Sequence, residues 1–358
     1  MDIKRIIEWV RSHRWETSTG VLSLSLVVIV VLFVLAVTGE DAESDAAVST
    51  TTAPRQSTMP SDTTAPDQSG GAPPVSGAGP FGESSLVAVT AVIVDNVAEA
   101  GLQIGIDAAE LLIEVPVEGG LTRFIALYGG ELPNLVGPVR SLRPASADLL
   151  APFQPVVFTT GGQPFVTGAV MAVGATVVTP DVSIAFQSLE RPQPHHVFAS
   201  PLAEAHLGTE VGASWAYGDW PGGDTATEVT IPLSGGITWR YEDGVYVRYE
   251  AGEIHEVLPD FDADPETLTR DTLILLVAHQ KSAGYTDSAG AEVPTFDVIG
   301  GGDLYVMHDG ELIEGTWYRP NQADGYTFTA GDGGLLSIPL GDLYLAIVPD
   351  GLFLELGS

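Results

Sequence analysis

The sequence predicts a mixed-sheet α/β domain followed by a mainly antiparallel β domain, both preceded by one transmembrane helix. Residues 21–38 form an apolar run without a single charged side chain, as expected for a membrane-spanning helix. Between residues 85 and 235, short β-branched runs alternate with short helical segments, which is typical of an α/β sandwich. From residue 236 onward, aromatic strands alternate with glycine turns, which is typical of antiparallel β structure.

The first part of the chain predicts a membrane anchor. Residues 1–20 are a basic segment, and the apolar run 21–38 that follows would span about 27 Å as a helix, close to the thickness of a bilayer core. Because acidic residues follow the run, the positive-inside rule places the N-terminus in the cytoplasm and the later domains outside the cell membrane. A cleaved signal peptide is the alternative, but residues 36–38 match a cleavage site poorly. We therefore expect an uncleaved, single-pass anchor.

Residues 39–84 are rich in Ser, Thr, Ala, Pro and Gly and contain few large apolar side chains. Such a segment cannot bury a core, so we expect a disordered linker that holds the folded part away from the membrane.

The predicted N-terminal domain covers residues 85–235 and begins with a strand over 86–94. Residues 106–112 are predicted to be a short helix with Asp107 as its N-terminal cap. The remaining elements follow from β-branched runs, prolines and glycine turns. They are strands at 113–117, 122–128, 156–160 and 175–179, and helices at 146–150 and 165–173.

The predicted C-terminal domain covers residues 236–358 and packs on the first. Its Asp-Gly pairs at 243–244 and 309–310 are typical of tight β-hairpins. Its predicted strands are 237–241, 245–249, 273–279, 302–308, 311–318 and 343–348.

The overall charge and the absence of cysteine exclude several classes of function. The chain has 14 Lys and Arg against 47 Asp and Glu, a net charge of -33. This charge argues against nucleic-acid binding, which needs clustered cations to neutralise phosphates. The absence of Cys excludes disulfides, thiolate metal sites, cysteine nucleophiles and a lipid attached to an N-terminal cysteine.

Eight short motifs, spread over residues 86–350, resemble a known family. They are V-D-N (94–96), E-V-P-V-E-G-G-L-T-R-F (114–124), G-P-V-R-S-L-R-P (137–144), G-G-Q-P (161–164), P-H-H-V-F (194–198), T-W-R-Y (238–241), Y-V-R-Y (246–249) and G-E-L-I-E-G-T-W (310–317). Together they resemble the YerB-like family of bacterial cell-surface proteins, a domain of unknown function.

The resemblance implies a two-part extracytoplasmic module in the cell envelope, but no reaction. Some relatives are linked to the cell-wall synthesis machinery, and many are lipoproteins anchored through a lipidated cysteine. This chain has a predicted transmembrane helix instead. It also departs from the family pattern at Gln163 and His196, so shared chemistry at those two positions is not implied.

The basic residues of the first domain are concentrated in one segment. Between residues 81 and 235 the only Lys or Arg residues are Arg123, Arg140, Arg143 and Arg191. The first three lie on or beside Gly- and Pro-containing loops, where binding residues are common. If residues 113–117 are a strand, Glu114 and Glu118 share one face.

Two interpretations of these residues stay open. In one, the arginines bind a carboxylate or phosphate bidentately while the glutamates act as base or ligand. In the other, the same residues form an internal ion-pair network that only stabilises the fold.

His195 is the other candidate for chemistry. It could act as a general base or metal ligand beside Asp95 and Glu114, and Glu118 and His195 are the candidate catalytic acid and base. The alternative is a hydrogen-bonded loop histidine. Ser141 lacks the G-x-S-x-G context of a serine hydrolase. The complete set of candidate ligand-binding residues is Asp95, Asn96, Glu114, Glu118, Arg123, Arg140, Ser141, Arg143 and His195.

A metal site is predicted only as a minor alternative. Asp260, Asp262 and Asp264 have the spacing of the first three ligands of an EF-hand loop, but Pro265 stands where that loop requires glycine. An acidic, solvated loop is the simpler interpretation. We expect no cofactor, with a divalent metal ion as the open alternative.

The sequence therefore favours a membrane-anchored extracytoplasmic binding or scaffolding module. Its Arg/Glu/His cleft would take an anionic small molecule or a protein partner from the envelope or from cell-wall synthesis. The alternative is a hydrolase acting on a wall polymer or a phosphoester, with or without a metal ion.

Overall fold

Strands dominate the part of the chain that the computed structural model describes, which is residues 81, 87–208, 210–211 and 215–358. The predicted segments 1–20 and 21–38 lie outside these residues, as does the predicted linker apart from Phe81. Among the described residues, no helix has the length and apolar character needed to cross a membrane. Phe81 packs edge-on against Phe153, with 6.0 Å between ring centroids.

The elements of the N-terminal half are short and mostly buried. The helices are α1 (Ala145–Leu150) and α2 (Pro164–Ala172), with four 3₁₀ turns, η1 (Ala98–Ala100), η2 (Glu118–Gly120), η3 (Pro201–Ala203) and η4 (Ala205–Leu207). The strands are β1 (Val87–Ala88), β2 (Thr90–Asn96), β3 (Leu111–Pro116), β4 (Thr122–Tyr128), β5 (Val156–Phe158), β6 (Thr176–Val178), β7 (Phe186–Ser188), β8 (Val197–Ala199), β9 (Glu210–Val211), β10 (Asp224–Thr225) and β11 (Glu228–Ile231).

The C-terminal half is almost entirely β structure. Its strands are β12 (Ile237–Glu242), β13 (Val245–Glu250), β14 (Glu253–Ile254), β15 (Glu256–Val257), β16 (Glu266–Thr267), β17 (Thr269–Arg270), β18 (Thr272–Ala278), β19 (Gln280–Thr286), β20 (Glu292–Phe296), β21 (Gly300–His308), β22 (Glu311–Arg319), β23 (Thr327–Ala330), β24 (Leu343–Pro349) and β25 (Glu355–Gly357).

One large mixed sheet contains strands from both halves of the chain. Its order is β10-β22-β21-β18-β24-β3-β4-β2-β5-β6, with β23 beside β22. β24 pairs in parallel with β3, and β2 pairs antiparallel with β4 but parallel with β5. The mixed sheet and the mostly β C-terminal region are confirmed. The C-terminal strands β18, β21, β22 and β24 extend this sheet, however, and do not all pack on it as a separate layer.

A second sheet covers one face of the large one. Its order is β14-β13-β12-β11-β25, with β17 beside β13. Between the two sheets lies an apolar core in which Trp239 packs against Tyr344, with ring centroids 4.8 Å apart. The opposite face of the large sheet packs against α1 and α2 through Leu149 and Val166. The large sheet is therefore buried on both sides in this region.

The predicted helix over residues 106–112 is wrong. Leu111 and Leu112 belong to β3, where they pair with β4 and β24, and residues 107–108 form a turn. Pairing in the buried sheet gives these leucines more backbone hydrogen bonds and more buried contacts than one short helical turn could. The other predicted helices and hairpins are present. At both Asp-Gly turns the two residues have positive φ, 50° and 97° at Asp243-Gly244 and 51° and 73° at Asp309-Gly310, as tight hairpins require.

Alternation along the strands sends neighbouring polar residues to opposite faces of the large sheet. Asp95 pairs with Arg123, and Asn96 with Thr122. Asp95 lies on the same sheet face as Ile93, and Arg123 on the same face as Ile125, because residues two apart in a strand share a face. Both isoleucines pack toward the helices. Asn96 and Thr122 lie on the opposite face, with Val94 and Phe124, which pack toward the second sheet. Two separate polar clusters result.

Candidate functional site

The cluster on the helix side consists of Asp95, Glu118, Arg123, Arg140 and Arg143, and we call it the arginine cluster. Arg123 lies on β4, while Arg140 and Arg143 lie on the segment before α1, which runs beside the end of β2. Arg140 donates its backbone N–H to the carbonyl of Ile93 at 2.8 Å, and Asp95 donates to the carbonyl of Pro138 at 2.9 Å. This backbone pairing places the side chain of Arg140 beside Asp95.

Asp95 holds two cationic or basic groups. Its Oδ2 lies 2.8 Å from Nε of Arg140 and 2.7 Å from Nδ1 of His195, and its side chain is almost completely buried. The N–H of Arg140 Nε does not point along the line to Oδ2, so this contact is an ion pair and not a hydrogen bond. One carboxylate thus fixes both Arg140 and the ring of His195.

Arg143 forms a two-point ion pair with Glu118. Nε of Arg143 donates to Oε2 at 2.7 Å, and Nη2 donates to Oε1. Burial raises the pKa of the Glu118 carboxyl, but the hydrogen bond and charge of Arg143 outweigh burial, so this pKa lies below its ordinary value. Both groups are therefore charged at neutral pH and hold each other in place.

Arg123 is the most buried arginine of the cluster, and its charge is the least compensated by nearby carboxylates. Its Nη1 donates to the backbone carbonyl of Ser141 at 2.7 Å, while its Nε is buried without an acceptor among the described residues. Burial, followed by the charge of Arg143, lowers the pKa of the Arg123 guanidinium to about 9. A buried donor and a buried charge without partners both cost stability.

The arginine cluster carries an excess of positive charge. Among the residues that the structure describes, its three guanidinium groups pair directly with two carboxylates, Asp95 and Glu118, while the charge of Asp287 also acts on Arg143. The net charge of the whole chain is -33. The side chain of Arg140 is 23% exposed, and its two terminal nitrogens form no hydrogen bond to any residue that the structure describes. The cluster can therefore accept an anion from solvent.

Polar groups of a glycine loop adjoin the arginines. The hydroxyls of Ser141 and Thr160 lie 3.0 Å apart, and Thr160 donates its N–H to the carbonyl of Arg140 at 3.0 Å. Gly161 has φ of 103°, a conformation that favours glycine, and its carbonyl accepts the N–H of Leu142 at 2.8 Å. The loop then enters α2. Hydroxyls and loop thus supply hydrogen-bonding groups beside Arg140.

The cluster on the other face is closed and saturated. We call it the Glu114 network; its members are Asn96, Glu114, Thr122, Arg248 and Tyr344. Glu114 accepts five hydrogen bonds. Two come from Arg248, at 2.7 and 3.1 Å, and one from the Tyr344 hydroxyl at 2.6 Å. Burial lowers the pKa of Arg248, but the charge of Glu114 outweighs it and the pKa is raised.

His255 extends this network toward the surface. Arg248 donates its Nε to Nδ1 of His255 at 3.0 Å, and Nε2 lies 2.9 Å from Oε1 of Gln103. Burial lowers the pKa of the His255 imidazole, so the neutral ring accepts from Arg248 and donates to Gln103. Glu114 and Arg248 are themselves completely buried, which leaves no room for a ligand between them.

The structure divides the predicted site residues between these two clusters. The expectation that Glu114 and Glu118 share a strand face is wrong, because β3 ends at Pro116 and Glu118 begins η2. Glu114 and Asn96 face the second sheet. The residues that do lie together on the helix side are Asp95, Glu118, Arg123, Arg140, Ser141, Arg143 and His195.

Sequence reasoning missed Arg248 and Thr160. Arg248 lies two residues after the buried Tyr246 in β13 and therefore on the same inward-facing side. An arginine at such a position in the sequence could have indicated a buried ion pair. Thr160 had no comparable signal, since it meets Ser141 only through tertiary packing.

The predicted acidic metal loop is not assembled as a ligand set. Among the described residues, no three His, Cys, Asp or Glu side chains form a group that could hold a metal ion. Asp260 instead accepts a hydrogen bond from Asn134 at 2.9 Å, while Asp262 and Asp264 are exposed. Binding of a divalent metal ion stays a prediction.

Comparison with known proteins gives one curated relative and one solved structure. Residues of this chain are 38% identical over 74 positions to the Bacillus subtilis (strain 168) protein named "Putative lipoprotein YerB". That match covers 21% of this chain and 22% of the relative, so it spans about a fifth of the relative's length. The crystal structure of YerB from Bacillus subtilis matches with a TM-score of 0.63 and 21% identity, over 78% of this chain and 99% of that one. At this identity the structural match establishes the fold alone.

Two family models match consecutive parts of the chain. The model described as "Protein of unknown function (DUF3048) N-terminal domain" matches residues 80–213. The corresponding C-terminal domain model matches residues 229–345. Together they cover well over half of the sequence, in the order that defines the family. The chain therefore belongs to the DUF3048 family and is a homologue of YerB.

Proposed function

We propose that this protein is an extracytoplasmic binding module of the bacterial cell envelope whose arginine cluster binds an anionic ligand. The location rests on the homology to a protein named as a lipoprotein and on the predicted membrane anchor. A partner among envelope or cell-wall synthesis proteins stays a prediction from the family resemblance.

The uncompensated charge of the arginine cluster is the observation that carries this proposal. Within the described part of the chain, the buried Nε of Arg123 has no acceptor. The partly exposed side chain of Arg140 likewise has no hydrogen bond at its terminal nitrogens to a described residue. A phosphate or carboxylate group bound at the partly exposed Arg140 would place negative charge beside Arg123 and give the terminal nitrogens of Arg140 an acceptor. Guanidinium groups suit such oxyanions because their N–H pairs match two oxygens at once.

The test is a calorimetric titration of the full-length chain with inorganic phosphate at low ionic strength, which measures the dissociation constant. Arg140→Ala should weaken binding at least about tenfold, since it removes one charge-assisted contact. The same variant should lose only about 1 kcal/mol of unfolding free energy, because Arg140 is partly exposed and His195 still contacts Asp95.

Arg240→Ala is the matched control, because Arg240 also pairs with a carboxylate but lies exposed on the second sheet. Phosphate binding that is unchanged in Arg140→Ala, or absent from the folded wild-type chain, contradicts the proposal.

The hydrolase alternative retains one specific observation in its favour. Asp95 orients the ring of His195 through Nδ1 at 2.7 Å, as a carboxylate does for a catalytic histidine. Glu118, the other candidate, is instead held by Arg143 in a two-point pair. Release of p-nitrophenol from p-nitrophenyl phosphate, above the rate in buffer and abolished in His195→Gln, would support this alternative. If a sample that binds phosphate releases no p-nitrophenol, p-nitrophenyl phosphate is excluded as a substrate.

A further inference from the structure

An aromatic pair formed by the exposed Phe165 and the partly buried Tyr285 lies beside the arginine cluster. Phe165, in the first turn of α2, is 59% exposed, and its ring meets that of Tyr285 edge-to-face with centroids 5.4 Å apart. The two residues come from distant parts of the chain, α2 and β19. A single exposed aromatic residue is unremarkable in a folded protein, but this one is paired and has a defined position.

The backbone connects Phe165 to the arginines. The carbonyl of Gly161 accepts the N–H of Leu142, and that of Arg140 accepts the N–H of Thr160. These two bonds hold the loop into α2 alongside the segment that carries Arg140 and Ser141. Phe165 follows four residues after Gly161, so the start of α2 that carries it continues directly from this loop.

Tyr285 lies close enough to the arginine cluster for the charges of the cluster to act on its hydroxyl. Burial raises the pKa of the Tyr285 hydroxyl, while Arg143, Glu118 and Arg123 are the charges that act on it. The hairpin of β19 and β20 also packs against η2, which carries Glu118. Tyr285 and Phe165 thus border the arginine cluster from two different elements.

We infer that the ligand of the arginine cluster is an amphipathic anion, with an oxyanion bound by Arg123 and Arg140 and an adjoining apolar group on Phe165 and Tyr285. This inference rests on the proposed anion binding and adds the chemical class of the ligand. The excess positive charge selects the oxyanion, and the exposed ring of Phe165, packed on the partly buried Tyr285, offers apolar surface that a free inorganic ion could not use.

The test compares inorganic phosphate, phenyl phosphate and hexyl phosphate in calorimetric titrations of the full-length chain. At least one of the organic phosphates should bind roughly tenfold more tightly than inorganic phosphate, as expected for one aromatic contact. Phenyl phosphate and hexyl phosphate distinguish an aromatic from an aliphatic substituent, and a gain with either supports the inference.

Phe165→Ala should remove this gain and leave the affinity for inorganic phosphate unchanged. Met171→Ala is the matched control, since Met171 lies on the same helix and is also 59% exposed; it should change neither affinity. If inorganic phosphate binds through Arg140 but the organic phosphates bind no more tightly, the inference is overturned while the proposed function stands. If no phosphate binds at all, both fail.

Discussion

The two polar clusters on either face of β2, β3 and β4 use the same residue types and differ in how completely they are satisfied. In the Glu114 network, one carboxylate accepts five hydrogen bonds and is wholly enclosed. In the arginine cluster, three guanidinium groups share two carboxylates, and a buried nitrogen of Arg123 has no acceptor among the residues described by the structure. A saturated, closed network stabilises the fold, whereas an incompletely compensated and partly open one can bind a ligand.

The proposed anion binding has to occur in a protein of net charge -33. The long-range field of the whole chain repels anions and slows their approach. Inside the cluster, the nearby guanidinium groups interact with a ligand at short distance and in a partly buried setting, where screening by water is weaker. The proposed binding therefore requires that the local arrangement of the guanidinium groups outweighs the overall charge.

The largest effect is expected in the Glu114 network. Glu114→Gln removes the hydrogen-bonded counter-charge of the buried Arg248, leaves only the more distant Glu250 at 3.6 Å, and places an amide N–H against donors. We therefore expect a loss of about 3 kcal/mol in unfolding free energy. Urea unfolding of the full-length chain, followed by tryptophan fluorescence, measures this loss. Glu228→Gln is the control, because Glu228 pairs with Arg240 at an exposed position and should cost less than about 1 kcal/mol.

If Glu114→Gln loses no more unfolding free energy than Glu228→Gln, the expectation that the closed network stabilises the fold is wrong. Such a result would mean that Arg248 finds other partners when Glu114 is neutral, and that the network contributes little to stability.

A smaller effect is expected for Glu118 in the arginine cluster. Glu118→Gln should cost about 2 kcal/mol at pH 7, less than a wholly buried pair, because both side chains retain some contact with water. The folded-state pKa of Glu118 lies below its unfolded value, so the unfolded chain binds more protons as the pH falls. The stabilisation by the ionised carboxylate is complete above the unfolded pKa and is lost as the pH falls through the folded one.

Urea unfolding of wild type and Glu118→Gln at a series of pH values measures this dependence. The difference in unfolding free energy should be largest near pH 7 and should shrink below pH ~4. A difference that stays constant down to the acid limit would show that Glu118 acts through packing and not through its charge.

Much of the local structure could be predicted from the sequence because it depends on neighbouring residues. The Asp243-Gly244 and Asp309-Gly310 hairpins follow from the ease with which these residues adopt positive φ. The helix α2 begins at Pro164, directly after the Gly161-Gly162 turn, as proline in a first turn predicts. The concentration of arginines in residues 123–143 pointed to the cluster.

The tertiary structure alone decided which of those residues meet. Alternation within a strand assigns Asp95 and Asn96 to opposite faces, but only the position of the two sheets and the helices determines what each face contacts. From the sequence, Glu114 was expected on the same face as Glu118, whereas the structure places it on the opposite side of the large sheet. Its partner Arg248 lies 134 positions away, a separation at which no local pattern constrains contact, so the assignment of Glu114 to the closed network and of Arg123 to the open one required the folded chain.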